Sequence, residues 1–442
     1  MRKYDHLELK QVQIDSINSR LEGISNQSNL EFRYVDIGDK VSFYELGRGE
    51  NKYPKIQSIE RKNIFTHECN FFSKCGGCIS QHLSYERQFQ YKTENYAKRF
   101  KEQFEIELEL IPAEKKLSYR NRMDFAVFPE KIGLRQMSNF RNIIDIDECK
   151  IQSNWANSEL KILRAFLNEN FPEISYNRKT ETGFLKYITL RDDLESKDSM
   201  SIFTFTKNFL NTEIEEKLIS EIIKYSTAEN IIFCYSRKQS EVSCDGESKL
   251  IKGRFHYKEN FLGKNFIVPY NSFSQPNLNG FLPIIKFIES IIGENKASTL
   301  IDLFCGNGFF SLLFGEYFDK VYGFDLVASS IEIASQNFQI NFPKKEFSFE
   351  KKDLLSIDLD FSSMNKNSIL ILDPPRNGIG KKIIDTILQS DFENILYVSC
   401  NPNSQLEDLE FLKNKYKIQK GLLTDPFPQT THLESVVSLR KL

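Results

Sequence analysis

The last third of the chain alternates short apolar runs with amphipathic helical patterns, and this alternation constrains the fold more than any other feature. Apolar runs predict strands at 299–303, 321–325, 347–353, 368–372 and 395–399, and helical patterns lie at 328–341, 379–390 and 404–416. Strands that alternate with helices build a parallel sheet covered by helices on both faces. The last two runs, 416–424 and 435–442, leave no room for a helix between them, so we expect them to pair antiparallel.

Cys400 follows the apolar run at 395–399 and is the most informative single residue. Ligands of open α/β sheets bind outside the carboxyl ends of the parallel strands, where a thiol can serve as a nucleophile. A lone cysteine is more often a small buried hydrophobe, and that interpretation stays open on this residue alone.

A loop with two glycines, Gly306 and Gly308, follows the first of these strands and leads into a helical pattern. Such a loop lets the backbone approach a ligand closely, although a plain packing turn would show the same pattern. Asp325 ends the next strand, where a carboxylate can accept both hydroxyls of a ribose. The third glycine of the dinucleotide fingerprint is missing, with Phe309 in its neighbourhood, which favours S-adenosylmethionine over a pyrophosphate ligand.

Three cysteines, Cys69, Cys75 and Cys78, lie close together in the first part of the chain, and Cys149 could supply a fourth thiol through the tertiary fold. Four cysteines with tight local spacing predict a metal site in a reducing compartment. A structural zinc ion is an alternative to an iron–sulfur cluster, because zinc sites with four cysteines are common. A disulfide is less expected in such a compartment.

Five ordered motifs together resemble the bacterial RNA (uracil-5-)-methyltransferases, and specifically the branch that carries an iron–sulfur cluster and modifies 23S ribosomal RNA. The motifs lie at residues 273–277, 302–308, 373–378, 399–402 and 432–436. The resemblance implies a Rossmann-like, class I S-adenosylmethionine-dependent methyltransferase domain of the α/β class, preceded by a β-rich iron–sulfur domain and a small barrel. It also implies a four-iron, four-sulfur cluster on the four cysteines.

The resemblance further assigns roles within the methyltransferase domain. Cys400 becomes the nucleophile and Glu434 the base. The implied cofactor contacts are Gln275, Phe304, Gly306, Gly308, Phe309, Asp325, Asp353 and Asp373. Phe309 departs from the Asn that relatives usually have, and Asp325 is shorter than their common Glu, so these two positions bear on cofactor affinity.

The chemistry of uracil C5 can be argued from the residues. C5 is a poor nucleophile until a thiolate adds to C6; the enolate then takes a methyl group, and a base removes the C5 proton so that the enzyme is released. An ordinary cysteine is only a few per cent thiolate at neutral pH. We therefore expect the site either to lower the pKa of Cys400 or to remove its proton during attack.

Net charge and composition say where the partners can bind. The net charge is −2 and the pI is about 6.3, so an RNA-binding surface must be local. Residues 115–122 are one candidate, since they join cations for phosphates to Tyr119 for stacking. No secretory or transmembrane segment is evident, so we expect a cytoplasmic monomer that binds RNA and no membrane.

The landmarks predict three domains. Residues 1–62 alternate like a small barrel, where relatives carry a TRAM domain of oligonucleotide-binding fold. An antiparallel iron–sulfur domain is expected at 63–80 and 113–263, and the methyltransferase domain at 81–112 and 264–442, with one long helix over 81–111.

Three alternatives remain open. Transfer RNA could be the substrate, although relatives dedicated to it generally lack both the four cysteines and the TRAM domain. A cytosine-C5 methyltransferase would show Cys after Pro in the motif that here reads Asp373-Pro374-Pro375-Arg376. A non-catalytic ribosome assembly factor would tolerate loss of Cys400 or Glu434, and both are present.

Overall fold

The amino-terminal strands form two small antiparallel sheets. The computed structural model of the protein describes residues 7–137, 139–194, 198–295, 297–354 and 367–442. The first six strands are β1 (Leu9–Gln13), β2 (Ser16–Ile17), β3 (Gly23–Ser25), β4 (Ser28–Phe32), β5 (Lys40–Leu46) and β6 (Tyr53–Glu60). They pair in the orders β1-β5-β6 and β2-β3-β4 around a shared core that includes Val12, Phe32 and Phe43. One continuous barrel sheet is not formed by these strands, and the oligonucleotide-binding fold stays a prediction.

The linker to the central domain contains helix α1 (Tyr85–Phe104) and strand β7 (Glu109–Ile111). The Ser84 hydroxyl caps the helix by accepting from Arg87 N, and Glu105 ends it in a left-handed conformation. The prediction of one helix over 81–111 is therefore wrong at both ends. The helix begins only after its cap at Ser84, and residues 109–111 instead form β7, which pairs with a distant strand at the sheet edge. Tyr96 and Phe100 of α1 pack into the core of the catalytic sheet.

The central domain is a seven-stranded sheet with two helices. Its elements are β8 (Arg122–Phe128), β9 (Lys131–Gln136), β10 (Asn139–Asp145), α2 (Asn154–Asn170), β11 (Leu185–Asp192), β12 (Ser199–Thr206), α3 (Glu213–Tyr225), β13 (Asn230–Ser236) and β14 (Glu247–Lys252). The strand order is β10-β9-β8-β11-β12-β13-β14. The prediction of an antiparallel sheet holds except for β12 and β13, which are parallel because α3 crosses over between them.

The catalytic domain contains the remaining elements. Its strands are β15 (His256–Phe261), β16 (Lys264–Pro269), β17 (Thr299–Leu303), β18 (Lys320–Asp325), β19 (Glu346–Lys351), β20 (Ser368–Leu372), β21 (Asn394–Ser399), β22 (Tyr416–Thr424) and β23 (Glu434–Lys441). Its helices are α4 (Leu282–Glu294), α5 (Phe309–Phe314), α6 (Ala328–Asn341), α7 (Lys381–Gln389) and α8 (Pro402–Leu412). The predicted domain boundary at 263/264 falls in the turn of the β15–β16 hairpin.

The large sheet has eight strands in the order β19-β18-β17-β20-β21-β23-β22-β7. The first five are parallel, as predicted, and β23 pairs antiparallel with β22, also as predicted. The structure adds that β23 runs antiparallel to β21 as well. Helices α4, α5 and α6 bury one face, and α1, α7 and α8 bury the other. The strand order reverses beside β17, and this is where an α/β sheet opens a cleft for ligands.

Among the described residues, we find no helix with the length and apolarity that a bilayer crossing requires.

Candidate active site

A cavity of about 720 Å³ opens at the carboxyl ends of the parallel strands. It is lined by residues that follow β17, β18, β19, β20 and β21, by the start of β23, and by segment 273–276. That segment accepts hydrogen bonds from Asn121 and Arg191 of the central domain. The predicted site residues found on its wall are Gln275, Phe304, Gly306, Phe309, Asp325, Asp353, Asp373, Cys400 and Glu434. Nine residues that are scattered along the sequence therefore share one cavity.

Gly308 is the one predicted cofactor residue that does not line this cavity. Its φ of 85° allows the chain to turn into α5. A Cβ at this position would come within 3.2 Å of the Ala334 Cβ, so the glycine also lets α5 pack closely on α6. Gly308 therefore shapes the loop and the packing of α5 on α6.

The Asp325 carboxylate is held in place at the end of β18 by two backbone amides. Gly306 N donates to Oδ2 at 3.0 Å, and Val327 N donates to Oδ1 at 2.9 Å. Phe304, in the same loop, has a φ of 65°, a conformation that costs energy for a residue with a Cβ. The loop thus presents an oriented carboxylate beside strained backbone, which is typical of a ligand-binding turn.

Two carboxyl groups lie close together here: Asp302 is buried, and Asp373 is partly buried on the cavity wall. Burial raises the pKa of Asp373 to about 7, with a further contribution from nearby Asp302. Burial likewise raises the pKa of Asp302 to about 7, although its side chain accepts from both Ser311 N and Ser311 Oγ. Asp302 is thereby tied to helix α5, whereas Asp373 faces the cavity, where a cationic ligand would favour its charged form.

Cys400 and Glu434 occupy adjoining positions on paired strands. Ser399 and Ser435 are opposite each other on β21 and β23, and the next residue outward on each strand is Cys400 or Glu434. This register places the thiol and the carboxyl on the same edge of the sheet, at the same cavity wall.

The pKa values of Cys400 and Glu434 lie above their usual ranges. Burial raises the pKa of Cys400 to about 11, with Glu434 and Asp373 acting in the same direction and Arg376 against them. Burial also raises the pKa of Glu434 well above its ordinary value. The expectation that the site lowers the pKa of Cys400 is therefore wrong for this structure, because the thiol is desolvated beside two carboxyls. The other expectation, that the Cys400 proton is removed as the thiol attacks, stays a prediction.

Sequence reasoning gave no role to Arg376 or His432, although both belong to motifs that it quoted. Arg376 Nη2 donates to His432 Nδ1 at 2.7 Å, and both side chains line the cavity. Burial and the Arg376 charge lower the pKa of His432 to about 4, so the imidazole is a neutral acceptor. Arg376 is therefore the cation that opposes the desolvation of Cys400 and Glu434.

The candidate RNA segment at 115–122 is divided by the fold. Arg120 lines the cavity, so one of its cations reaches the site. Tyr119 is buried, and its hydroxyl donates to Pro428 O at 2.8 Å. Its prediction as an exposed stacking residue is wrong, because tertiary packing places the ring in the core.

The four predicted metal ligands lie together, away from the cavity just described. Cys69, Cys75, Cys78 and Cys149 are buried, are not in disulfides, and line one small cavity of about 20 Å³. Gly77 N donates to Cys75 Sγ at 3.4 Å, and burial raises the pKa of Cys149 to about 11. In the described part of the chain, no three His, Cys, Asp or Glu side chains are arranged so as to hold a metal ion. The four thiols share one buried cavity, without forming a ready ion site in the described part of the chain.

Comparison with known proteins shows which family the chain resembles. Residues 251–442 match the tRNA (uracil-5-)-methyltransferase family. An RNA methyltransferase of Leptospira interrogans is 43% identical over 98% of this chain and 97% of its own length. The tRNA (uracil(54)-C(5))-methyltransferase of Pyrococcus furiosus is 31% identical over 85% of each chain.

The chain belongs to the RNA (uracil-5-)-methyltransferase family. It is therefore an enzyme that methylates uracil C5 in RNA, and an idle assembly factor is set aside. The fold agrees with that of Pyrococcus abyssi tRNA (uracil-54, C5)-methyltransferase, which was solved in complex with S-adenosyl-L-homocysteine. The TM-score is 0.78 at 24% identity, over 97% of this chain and 100% of that chain.

Proposed function

We propose that this methyltransferase uses S-adenosylmethionine and forms a covalent adduct between Cys400 and uracil C6, which Glu434 resolves. The carrying observation is that Cys400 and Glu434 adjoin on paired strands at one cavity wall. The cavity also contains the oriented Asp325 carboxylate, which fits the role of ribose acceptor.

The remaining wall fits a cationic cofactor. S-adenosylmethionine would supply a methyl group from a sulfonium centre. Asp373 faces the cavity as a desolvated carboxyl with a pKa of about 7, so a nearby positive charge stabilises its ionised form. Gln275 and Phe304 flank the same space. This donor set suits a nucleoside that carries a cationic tail.

The residue chemistry balances in two stages. The Cys400 thiol proton passes to solvent as the Sγ–C6 bond forms, and the electron pair of the C5–C6 double bond moves into an enolate. C5 then accepts the methyl group, and the electron pair of the broken methyl–sulfur bond would stay on the cofactor sulfur as a neutral thioether. Glu434 then takes the C5 proton, and the electron pair of that bond expels Cys400 from C6. Arg376 favours the anionic forms of both groups, since its charge opposes the burial that raises their pKa values.

We propose 23S ribosomal RNA as the substrate, as the sequence resemblance implies. Transfer RNA is the second candidate, and a specific observation favours it. The Pyrococcus abyssi enzyme, which is named for tRNA uridine 54, shares its fold with 97% of this chain, including the parts outside the catalytic domain. At least one tRNA enzyme therefore has counterparts of these parts, so their presence here does not argue against tRNA as the substrate.

Parallel methylation assays distinguish the two substrates. Purified protein is incubated with 23S ribosomal RNA or with bulk transfer RNA, both from a strain that lacks the enzyme, and 5-methyluridine is mapped by mass spectrometry. We expect the modified nucleoside in 23S RNA with wild-type protein and in neither RNA with Cys400→Ala. Methylation confined to transfer RNA would replace the first candidate by the second.

We further propose that Cys69, Cys75, Cys78 and Cys149 hold a four-iron, four-sulfur cluster. Their convergence on one buried cavity supports the proposal, and ligation would require the thiols to ionise. Anaerobically purified protein should contain iron and sulfide, and Cys149→Ser should lose them. Cys234→Ser is the matched control, because Cys234 is buried in another core. Stoichiometric zinc without iron would identify a zinc site instead.

We also propose a domain division close to the one the sequence predicts. Residues 1–62 form a TRAM-like RNA-binding module, 63–80 and 113–255 the cysteine-bearing domain, and 81–112 with 256–442 the catalytic domain. The shift of one boundary to before His256 keeps the β15–β16 hairpin whole. The hairpin belongs with α6, since Ile267 N donates to Asn337 Oδ1 at 2.7 Å.

A further inference from the structure

We infer that Gln88 on helix α1 is a positioning residue that fixes the loop leading into Glu434, and thereby sets the rate of product release. The inference rests on the proposed role of Glu434 as the base that resolves the adduct. It gives helix α1 and the segment after Cys78 a part in one particular step of the reaction.

The loop in question is residues 425–433, named here the β22–β23 loop. The two strands pair as far as Thr424 opposite Glu434, so Glu434 is the first residue after the loop. Phe427 and His432 within the loop line the active-site cavity. Any shift of this loop is therefore passed directly to the carboxyl of Glu434.

Gln88 holds the loop at its middle residue, Gln429. Gln88 Nε2 donates to Gln429 Oε1 at 3.0 Å, and Gln429 N donates to Gln88 Oε1 at 3.3 Å. Gln88 Nε2 also donates to Leu83 O at 3.0 Å, and Ser80 Oγ donates to Gln88 Oε1 at 2.9 Å. The Gln88 side chain is thus fully engaged between the segment that follows Cys78 and the β22–β23 loop, and the residue is only 1% exposed.

Backbone geometry shows that Gln429 needs such support. Its φ is 70°, in the left-handed region that a residue with a Cβ adopts at a cost. Ile79 N, one residue beyond Cys78, donates to Gln429 O at 2.8 Å. The conformation of Gln429 is therefore set by contacts from outside its own loop, and Gln88 supplies both side-chain contacts among them.

The effect on the reaction should fall mainly on elimination. Cys400 follows β21, outside the β22–β23 loop, so the loop acts on the thiol indirectly, through His432 and its partner Arg376, whereas Glu434 directly continues the loop. Proton removal from C5 depends on the placement of Glu434, and a small displacement of a catalytic group slows a step strongly. Loss of the Gln88 contacts should therefore leave methylated RNA attached to the enzyme for longer.

The test compares Gln88→Leu with Thr93→Val. Thr93 is a buried residue of the same helix whose hydroxyl donates only within the helix, to Phe89 O at 2.8 Å and Gln90 O at 3.4 Å. Single-turnover methyl transfer to RNA and decay of the denaturation-resistant adduct are measured for each. We expect Gln88→Leu to retain the methyl-transfer burst while adduct decay slows about ten- to a hundredfold. Thr93→Val should match wild type in both.

Gln429→Ala makes the same prediction from the other side of the contact and leaves helix α1 intact. If Gln88→Leu folds poorly, judged by its thermal transition, this variant decides the question. Adduct decay at the wild-type rate, or an equal fall in methyl transfer and decay, would overturn the inference. Adduct trapping by Glu434→Gln alone would reject it while preserving the proposed function, whereas no trapping by Glu434→Gln would reject the assigned base itself.

Discussion

Cys400 and Glu434 lie one residue beyond the paired Ser399 and Ser435 on the antiparallel strands β21 and β23. The antiparallel insertion of β23 is what brings them together. In a wholly parallel sheet the start of β23 would lie at the opposite edge, whereas here the carboxyl end of β21 meets the amino end of β23. The topology of the sheet therefore supplies both proposed reacting groups to one cavity.

The elevated pKa of Cys400 predicts how the free enzyme reacts with an alkylating agent. Because its pKa is raised to about 11, the thiolate fraction should keep increasing throughout the range from pH 7 to 10. Alkylation by iodoacetamide, followed on the Cys400 peptide by mass spectrometry, should accelerate by about tenfold per pH unit without a plateau. A plateau near pH 7 would show that the site stabilises a thiolate and would contradict the structure.

Opposite substitutions should shift this profile in opposite directions. Asp373→Asn removes a carboxylate that raises the pKa of Cys400, so alkylation at a given pH should become faster. Arg376→Met removes the opposing cation, so alkylation should become slower. Both variants are compared at pH 9, where Asp373, with a pKa of about 7, is ionised in the wild type.

Asp325→Ala should weaken binding of S-adenosylmethionine to the free protein. Loss of a charge-assisted hydrogen bond to a ribose costs about 1.5–3 kcal/mol, or about ten- to a hundredfold in affinity. Calorimetry measures the dissociation constant, and RNA binding should be nearly unchanged. Asp319→Ala is the control, since Asp319 is exposed at the opposite end of β18. An unchanged constant for Asp325→Ala would move the ribose subsite elsewhere.

Local sequence signals located the catalytic elements well. The helix predicted at 328–341 is Ala328–Asn341, and the strand predicted at 416–424 is Tyr416–Thr424. Periodicity and length identify such segments without knowledge of their neighbours. The helix predicted at 404–416 is instead Pro402–Leu412, because Asn401 caps it and Pro402 suits the first turn.

Features that depend on distant contacts were not predictable from local pattern. Residues 109–111 form strand β7 only because β22 offers an edge on which they pair in parallel. Tyr119 is buried by tertiary packing, and its hydroxyl donates to Pro428 O, far away in the sequence. The pKa of Cys400 likewise depends on burial and then on Glu434 and Asp373, which come from other parts of the sheet. The motifs predicted which residues share the cavity. The pKa values of those residues depend on burial and on charges from other strands, so they could be read only from the folded chain.

A buried ion pair between α1 and the β22–β23 loop should contribute more to the free energy of unfolding than a surface ion pair of the same helix. Lys92 Nζ lies 2.7 Å from Asp425 Oδ1, and both side chains are almost completely buried. Lys92→Met leaves a buried carboxyl without its partner, which should cost about 3–5 kcal/mol in the free energy of unfolding. Denaturant titration measures the loss.

Two further variants make this stability prediction specific. Lys98→Met removes an exposed cation of the same helix, which pairs with Glu102 at 3.8 Å, and should cost less than about 0.5 kcal/mol. Lys92→Met combined with Asp425→Leu should recover much of the lost stability, because no unpaired buried charge remains. Equal effects of Lys92→Met and Lys98→Met would mean that the buried pair contributes no more than a surface one.

The roles of Cys400 and Glu434 can be separated by what remains attached to RNA. The target base must leave its stack to reach the cavity. We expect both variants still to bind RNA. Cys400→Ala has no thiol to add to C6 and should form no adduct and no 5-methyluridine. Glu434→Gln retains the thiol but not the base, so it should transfer one methyl group and then stall. Denaturing electrophoresis with labelled methyl groups should show a protein–RNA band for Glu434→Gln that is absent for Cys400→Ala. Normal turnover by Glu434→Gln, or methylation by Cys400→Ala, would show that other groups carry these steps in the same fold.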